Sequence, residues 1–378
     1  MTQENRIALT NGIAIFAMFF GSGNLIFPLA LGSTAGVHLI PVWLAFLLTG
    51  VGLPLLGLFT ITLFKGDYWT FFSPLSKVAA FLIITFLLLI IGPLFVGPRT
   101  EIVTYGSFVE LFPHSPISAP LFSAFYFAMV FLILVKRSHF TDIVGKVLGP
   151  IKITVFVILI IAAISVGHET MANNPPLYPQ LTHAFTTGYN TMDLLGALFF
   201  GGIIYQSILS SCKKKKIDFN QHAVSITLKS CVVGGILLAL IYTGFMSAAW
   251  LHAAKLQGVQ TVSMMSALSL VVFGHSGAWF VCICIGLTCL VTASALTETF
   301  THYLDKIIFK GRISRLYCLI FTLVFMYIMS LLGFDMIIAL ASPILNYLYP
   351  LLIAYCLWQC FYLAKKKRKT RIVAPKQI

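Results

Sequence analysis

Ten long apolar stretches decide what this chain can become. They lie at about 7–31, 40–64, 78–110, 118–135, 149–167, 188–211, 224–250, 278–303, 314–332 and 336–361. A helix needs roughly 20 apolar residues to cross a bilayer. Only 10% of the 378 residues are charged, where a soluble domain carries about 25%. So few charges cannot cover a soluble surface of this size. The solvent these stretches fit is lipid, and in lipid a chain without barrel strands must be helical. The expected fold is an all-α membrane protein of about ten transmembrane helices in a single transmembrane domain. The third stretch is too long for a plain span and contains Pro93 and Pro98, which predict a kink.

The net charge of +14 is concentrated between the stretches. With a cytoplasmic N-terminus, the inner segments hold Arg6, Lys65, Lys77, Lys136, Arg137, Lys146, Lys213 to Lys216, Lys306, Lys310, Arg312 and Arg315. A basic tail over 362–378 adds Lys365 to Lys369, Arg371 and Lys376 around Arg368, while the outer loops hold only Lys255. Lys152 and Lys229 sit near the inner ends of their helices. This asymmetry places both termini in the cytoplasm. It explains the basic balance as topology and attraction to anionic lipid, with no nucleic-acid partner. Arg99 stands alone inside the third stretch.

The eight cysteines show no metal-ligand spacing and read as buried thiols. No H-E-x-x-H or G-x-S-x-G pattern occurs, so nothing points to an enzyme. Of the two long outer loops, 168–187 is rich in Pro, Asn and Thr and reads as irregular. The other, 251–277, contains an apolar run over 262–273, too short to span, that reads as a re-entrant or lid helix.

An internal repeat organises the chain. The pattern Ala-x-Phe-Phe-Gly occurs at Ala17–Gly21 and again at Ala197–Gly201, 180 residues later. Five spans separate the copies, so the second runs in the opposite direction across the membrane. That predicts an inverted five-plus-five repeat, about 7–167 and 188–361, with helices 1 and 6 broken at the midplane. Glycine in a helix interior is unfavourable by about 1 kcal/mol relative to Ala. Pro28 removes the normal donor to the Asn24 carbonyl. A broken helix offers carbonyls to a cation and N–H groups to a carboxylate. Glycines that merely allow close helix packing would leave the same pattern.

At these residues the chain resembles the branched-chain amino acid–cation symporter family. The matching stretches are Phe20–Pro28 (FGSGNLIFP), Gly92–Thr100 (GPLFVGPRT), Gly188–Ala197 (GYNTMDLLGA), Cys289–Ala293 (CLVTA) and Pro343–Pro350 (PILNYLYP), in order from the first span to the last. The resemblance implies a bacterial cytoplasmic (inner) membrane carrier that imports leucine, isoleucine or valine with sodium, by alternating access. Sodium would be a co-transported ligand, with no resident cofactor. A proton-coupled carrier of another neutral amino acid on the same fold is the alternative. Family members usually carry two further spans, and the sequence does not specify an oligomer.

The resemblance also implies a site. The substrate carboxylate is expected at the N–H groups of Ser22, Gly23 and Asn24. Its ammonium is expected at carbonyls near Phe19 and across Ala197 to Gly201. Phe20, Phe199, Phe200 and Ile203 would wall the side-chain pocket, or serve as plain packing. Sodium would take carbonyls of Ala17, Phe20 and Thr288 and the hydroxyl of Thr292, which equally could bond back to its own helix. Asp193 and Glu298 are candidates for coupling or gating, because an ionisable residue in a span is functional by default. Asp193 could instead line a vestibule or pair with Arg99. Glu298 could reach the interface.

Overall fold

The structure, a computed structural model, describes residues 3–135, 149–167, 169–170, 174–215 and 219–373. The basic residues Lys136, Arg137, Lys146, Lys216 and Lys376 lie outside them.

Helices make up the described chain. The first apolar stretch is a bent pair: α1 (Gln3–Phe19) and α2 (Ser22–Thr34) meet at 77°. The break falls where the sequence placed it, at Gly21, whose extended backbone caps α2 without a side chain. Next come α3 (Leu39–Leu47) and α4 (Leu53–Leu63), joined by a π turn over Leu48–Gly52, then the short α5 (Tyr68–Phe72). Asp67 caps α5 by accepting from the Trp69 N–H at 3.0 Å.

The third stretch is α6 (Lys77–Leu89) and α7 (Val96–Leu111), kinked through Ile90–Leu94 with Gly92 out of helical geometry, as its prolines predict. Beyond it lie α8 (Ala119–Val135) and α9 (Gly149–Ser165).

The second half differs from expectation in two places. Residues 177–190 are not loop: α10 (Leu177–Asn190) is the first part of the sixth span. The break then falls at Thr191–Met192, where Met192 adopts a left-handed backbone (φ 61°), and not across Ala197 to Gly201, which lie inside the unbroken α11 (Asp193–Lys214). The Ala-x-Phe-Phe-Gly copy therefore marks the break in the first span only.

The remaining helices are α12 (Phe219–Leu251), α13 (Met264–Tyr303), α14 (Arg315–Ser330) and α15 (Phe334–Val373). The apolar run over 262–273 forms a short helical segment set off from the rest of α13 by a kink at Gly274. The basic residues expected as a tail continue α15 to Val373.

By length and composition six helical segments can cross a membrane among the described residues, and α1 with α2 makes a seventh. The shorter apolar helices Ala119–Val135, Ile151–Ser165 and Arg315–Ser330 occupy the other three stretches.

Packing draws the breaks to the centre. Helix α1 lies along α12, α2 crosses α12, α4 lies on α11, and α7 on α13. The α1–α12 crossing is close because Gly12 and Gly234 face each other. A Cβ on Gly234 would stand 3.0 Å from the Gly12 carbonyl and 2.7 Å from Ile15. Small residues let helix backbones approach in lipid, where van der Waals contact drives association. The perimeter is apolar, with Ile40, Val78, Phe125, Phe280 and Leu351 exposed, as a lipid-facing surface requires.

Candidate functional site

A helix that stops inside an apolar bundle leaves backbone groups that must find partners. Tracing those partners defines the site. The break after α1 releases the carbonyls of Ala17, Met18, Phe19 and Phe20, since Phe16 O still accepts from the Phe20 N–H at 3.0 Å. Asn24, on the first turn of α2, folds back and donates Nδ2 to Phe19 O at 2.6 Å. The same nitrogen lies 3.0 Å from Asp193 Oδ2, on the first turn of α11. One amide thus ties the two breaks together across 169 residues of sequence.

The other carbonyls belong to the end of α10. Arg99, 1% exposed, donates Nη1 to Asn190 O and Nη2 to Thr191 O, the latter at 3.1 Å. A guanidinium at a helix C-terminus satisfies both the bare carbonyls and the negative end of the dipole. Its Cζ also lies 5.4 Å from the centre of the Phe27 ring. Arg99 therefore anchors the second break; it forms no salt bridge within 4.0 Å to Asp193, although the two charges are near enough to interact. Asn190 is held from its other side by Ser342, whose hydroxyl donates to Oδ1 at 3.0 Å.

Between the breaks lies a cavity of about 40 Å³. Its polar lining is Ser22, Asn24, Arg99, Thr191, Asp193 and Thr292. Its apolar lining includes Met18, Phe19, Ile91, Val96, Phe200 and Leu296. The N–H groups of Ser22, Gly23 and Asn24 begin α2 and have no intrahelical partner. Ser22 Oγ is buried and makes no hydrogen bond. Positive helix end, guanidinium and free hydroxyl face one carboxylate, Asp193. The arrangement suits a small zwitterion. That volume is about the room of one water. A larger cavity of about 650 Å³ lies apart from the breaks, where α7, α8, the 259–263 segment and the α14–α15 turn converge.

The expected residues divide. Phe19, Ser22, Gly23, Asn24, Phe200, Thr292 and Asp193 come together at the cavity. Phe20 does not: its ring packs against Phe16, Phe156 and Phe245. Phe199 packs on Tyr68, and Gly201 faces Ile61. Ala197 is buried in the α11 contact with Gly57. Ile203 is 61% exposed on the outer face of α11, where a pocket wall is impossible. These four positions follow the break: once it moves from 197–201 to 191–192, they sit on a continuous helix. Glu298 is paired with Arg315, with its side chain 43% exposed, and does not line the cavity.

The sodium ligands fare differently from the substrate contacts. The Thr292 hydroxyl donates to Thr288 O at 3.0 Å, and the Thr288 hydroxyl to Cys284 O at 2.7 Å, so both bond back to their own helix. Phe20 O is engaged by the ammonium of Lys152, at 3.4 Å. Ala17 is partly buried, and its carbonyl is among those released by the break. A ligand set with a lysine on one member does not fit a sodium ion. Lys152 was legible only as a topology signal near a helix end, and Arg99 as a lone charge. Both are ionisable residues within a span, which is the signal that finds them.

Broken helices that meet at a polar centre inside an apolar bundle define a class, the membrane transporters that hold cargo at mid-depth. Within that class the chain belongs to the family described as branched-chain amino acid transport protein, whose family model matches residues 4–375. It is 31% identical over 388 residues to the branched-chain amino acid permease BrnQ of Escherichia coli K12, covering 99% of this chain and 85% of that one. It is 33% identical over 359 residues to the branched-chain amino acid permease BraB of Bacillus subtilis 168, covering 90% and 77%. Among solved structures it resembles MhsT, crystallised in complex with L-phenylalanine, with a TM-score of 0.56 and 17% identity over 91% of this chain and 87% of that one. That likeness establishes the fold.

Proposed function

We propose that the protein imports leucine, isoleucine and valine across the bacterial cytoplasmic membrane by alternating access. The observation that carries this reading is the meeting of two helix breaks at one small cavity with polar side chains in its lining, in a chain whose relatives are branched-chain amino acid permeases. The carboxylate goes to the N-terminus of α2 at Ser22, Gly23 and Asn24, with Arg99 behind it. The ammonium goes to Asp193, whose place at the second break replaces the carbonyls of Ala197 to Gly201. The aliphatic side chain goes among Met18, Phe19, Ile91, Val96, Phe200 and Leu296. Rocking of the two halves about the breaks opens the cavity to one side at a time.

Leucine uptake into proteoliposomes tests this reading. The expected result is uptake that excess isoleucine or valine abolishes and that lysine or glutamate leaves intact. Competition by an unrelated neutral amino acid alone would move the cargo and keep the fold. Sodium, which the family resemblance implies, and the proton are the two ways to drive uptake. The Lys152 contact on Phe20 favours the reading without sodium.

A further inference from the structure

A cation site at the first helix break needs oxygens free to turn toward an ion. The break releases four carbonyls, and two already have donors: Phe19 O holds Asn24, and Phe20 O holds Lys152. Lys152 rises from the first turn of α9 and is directed inward. One turn later on the same face, Phe156 packs 5.6 Å from the Phe20 ring centre. The Lys152 Nζ also lies 5.6 Å from that ring centre, within reach of a cation–π contact. Phe20 is thus gripped through both its carbonyl and its ring by one cationic side chain.

Among the described residues the charge has no acidic partner. No carboxylate lies within 4.0 Å of Lys152 among the described residues. The titratable group facing it from α13 is the Cys289 thiol, and α13 also carries Thr292 toward the break. From α12 the neighbouring side chain is Phe245, which shares the ring cluster. An ammonium drawn partly into a protein interior is usually paired with an acid. Here its acceptor is the negative end of a broken helix, which is what a metal cation would otherwise neutralise.

We infer that the Lys152 ammonium, seated on the Phe20 carbonyl and ring at the first helix break, is a built-in replacement for the sodium ion, so that this carrier neither binds nor requires sodium. The inference rests on the transport reading only for what the site serves. The contact itself does not depend on the cargo. A sodium ion on Phe20 O would sit within a few ångströms of a fixed positive charge, with no added carboxylate to offset the repulsion.

Two measurements on the full-length protein test this. The first needs no amino acid: equilibrium binding of radioactive sodium to the detergent-purified chain, with the melting temperature in sodium chloride against choline chloride. Wild type is expected to show no saturable sodium binding and no sodium-dependent rise in melting temperature. Lys152→Ala, which removes the charge and opens the space, is expected to gain both, and Lys152→Arg is expected to gain neither. If Lys152→Ala does not yield folded protein, Lys152→Met removes the charge while keeping the packed stem. Saturable sodium binding by wild type, lost in Thr292→Val, would overturn the inference. So would a neutral variant that ignores sodium, because the ligand set would then not be a cation site that lysine fills.

The second measurement is leucine uptake at fixed pH in sodium against choline, where wild type is expected to differ by less than twofold. A tenfold or larger sodium stimulation would overturn the inference and leave the transport reading intact. No leucine uptake in either medium would remove the transport reading, and the sodium-binding result would still decide the role of Lys152.

Discussion

Arg99 and Asp193 divide the labour at the second break. Arg99 holds two carbonyls that the chain cannot satisfy locally. Leaving a buried acceptor unpaired costs about 1–3 kcal/mol, more where charge is involved. Arg99→Ala is therefore expected to lower the melting temperature markedly. Arg99→Lys, with a point charge in place of a planar fork, is expected to recover only part of it. Asp193 has a different test. Its carboxylate accepts from Asn24 and lines the cavity. Asp193→Asn keeps the shape and removes the charge that an ammonium would meet. Hydrogen bonds to charged groups are worth about 1.5–3 kcal/mol, so the half-saturating leucine concentration should rise roughly 10- to 100-fold with little change in melting temperature. An unchanged value would remove Asp193 from the site.

Gly23 is constrained by the same guanidinium. A Cβ there would stand 2.9 Å from Arg99 Nη2 and 3.2 Å from the Phe27 ring. Gly23→Ala is expected to displace Arg99 and abolish uptake in protein that still reaches the membrane. For Lys152 the argument is electrostatic. Two like charges 4 Å apart repel by about 4 kcal/mol at an effective dielectric of about 20. That is roughly a thousandfold in affinity, enough to exclude a monovalent ion at ordinary concentrations.

At the scale of elements, helix ends carry the function and helix crossings hold them in place. The crossing of α1 on α12 keeps the first break in position through Gly12 and Gly234, and Ser207 adds a hydrogen bond from α11 to Asn11 at 2.7 Å. Gly12→Val would drive a branched side chain into Val233. Overpacking costs about 1–3 kcal/mol, so this variant should melt earlier and lose uptake together, without a selective change in leucine affinity. The pair between Glu298 and Arg315 offers the contrast. It joins α13 to α14 with both side chains partly exposed. Exposed pairs are worth about 0–1 kcal/mol. Arg315→Ala should change the half-saturating leucine concentration by less than twofold.

For the whole molecule, the small central cavity and the apolar perimeter belong together. The space at the breaks is small, about the room of one water. Under the proposed transport reading, binding is coupled to movement of one half against the other. Under that reading, selection among cargoes rests on the apolar side of the lining, Met18, Phe19, Ile91, Val96, Phe200 and Leu296. Such a lining separates neighbours by only about 1–3 kcal/mol per methylene. Leucine, isoleucine and valine should inhibit one another's uptake within about two orders of magnitude.

The sequence by itself determined the solvent, the helical class and the first break. Those are matters of local chemistry: apolar run length, the glycines at 21 and 23, and the prolines at 93 and 98 act on residues next to them. It also flagged Asp193, because a charge inside an apolar run is conspicuous wherever it points. Only the tertiary structure placed the second break. No glycine or proline stands at Thr191 or Met192. The Asn190 and Thr191 carbonyls can leave the helix because a guanidinium 91 and 92 residues earlier in the chain donates to them. The side on which a residue faces was likewise beyond local pattern: Phe20 turned into an aromatic cluster and Ile203 toward the perimeter. Lys152 looked like a marker of membrane orientation and became the cation on the first break. In each case the deciding partner lies far away in sequence, and only packing brings it within reach.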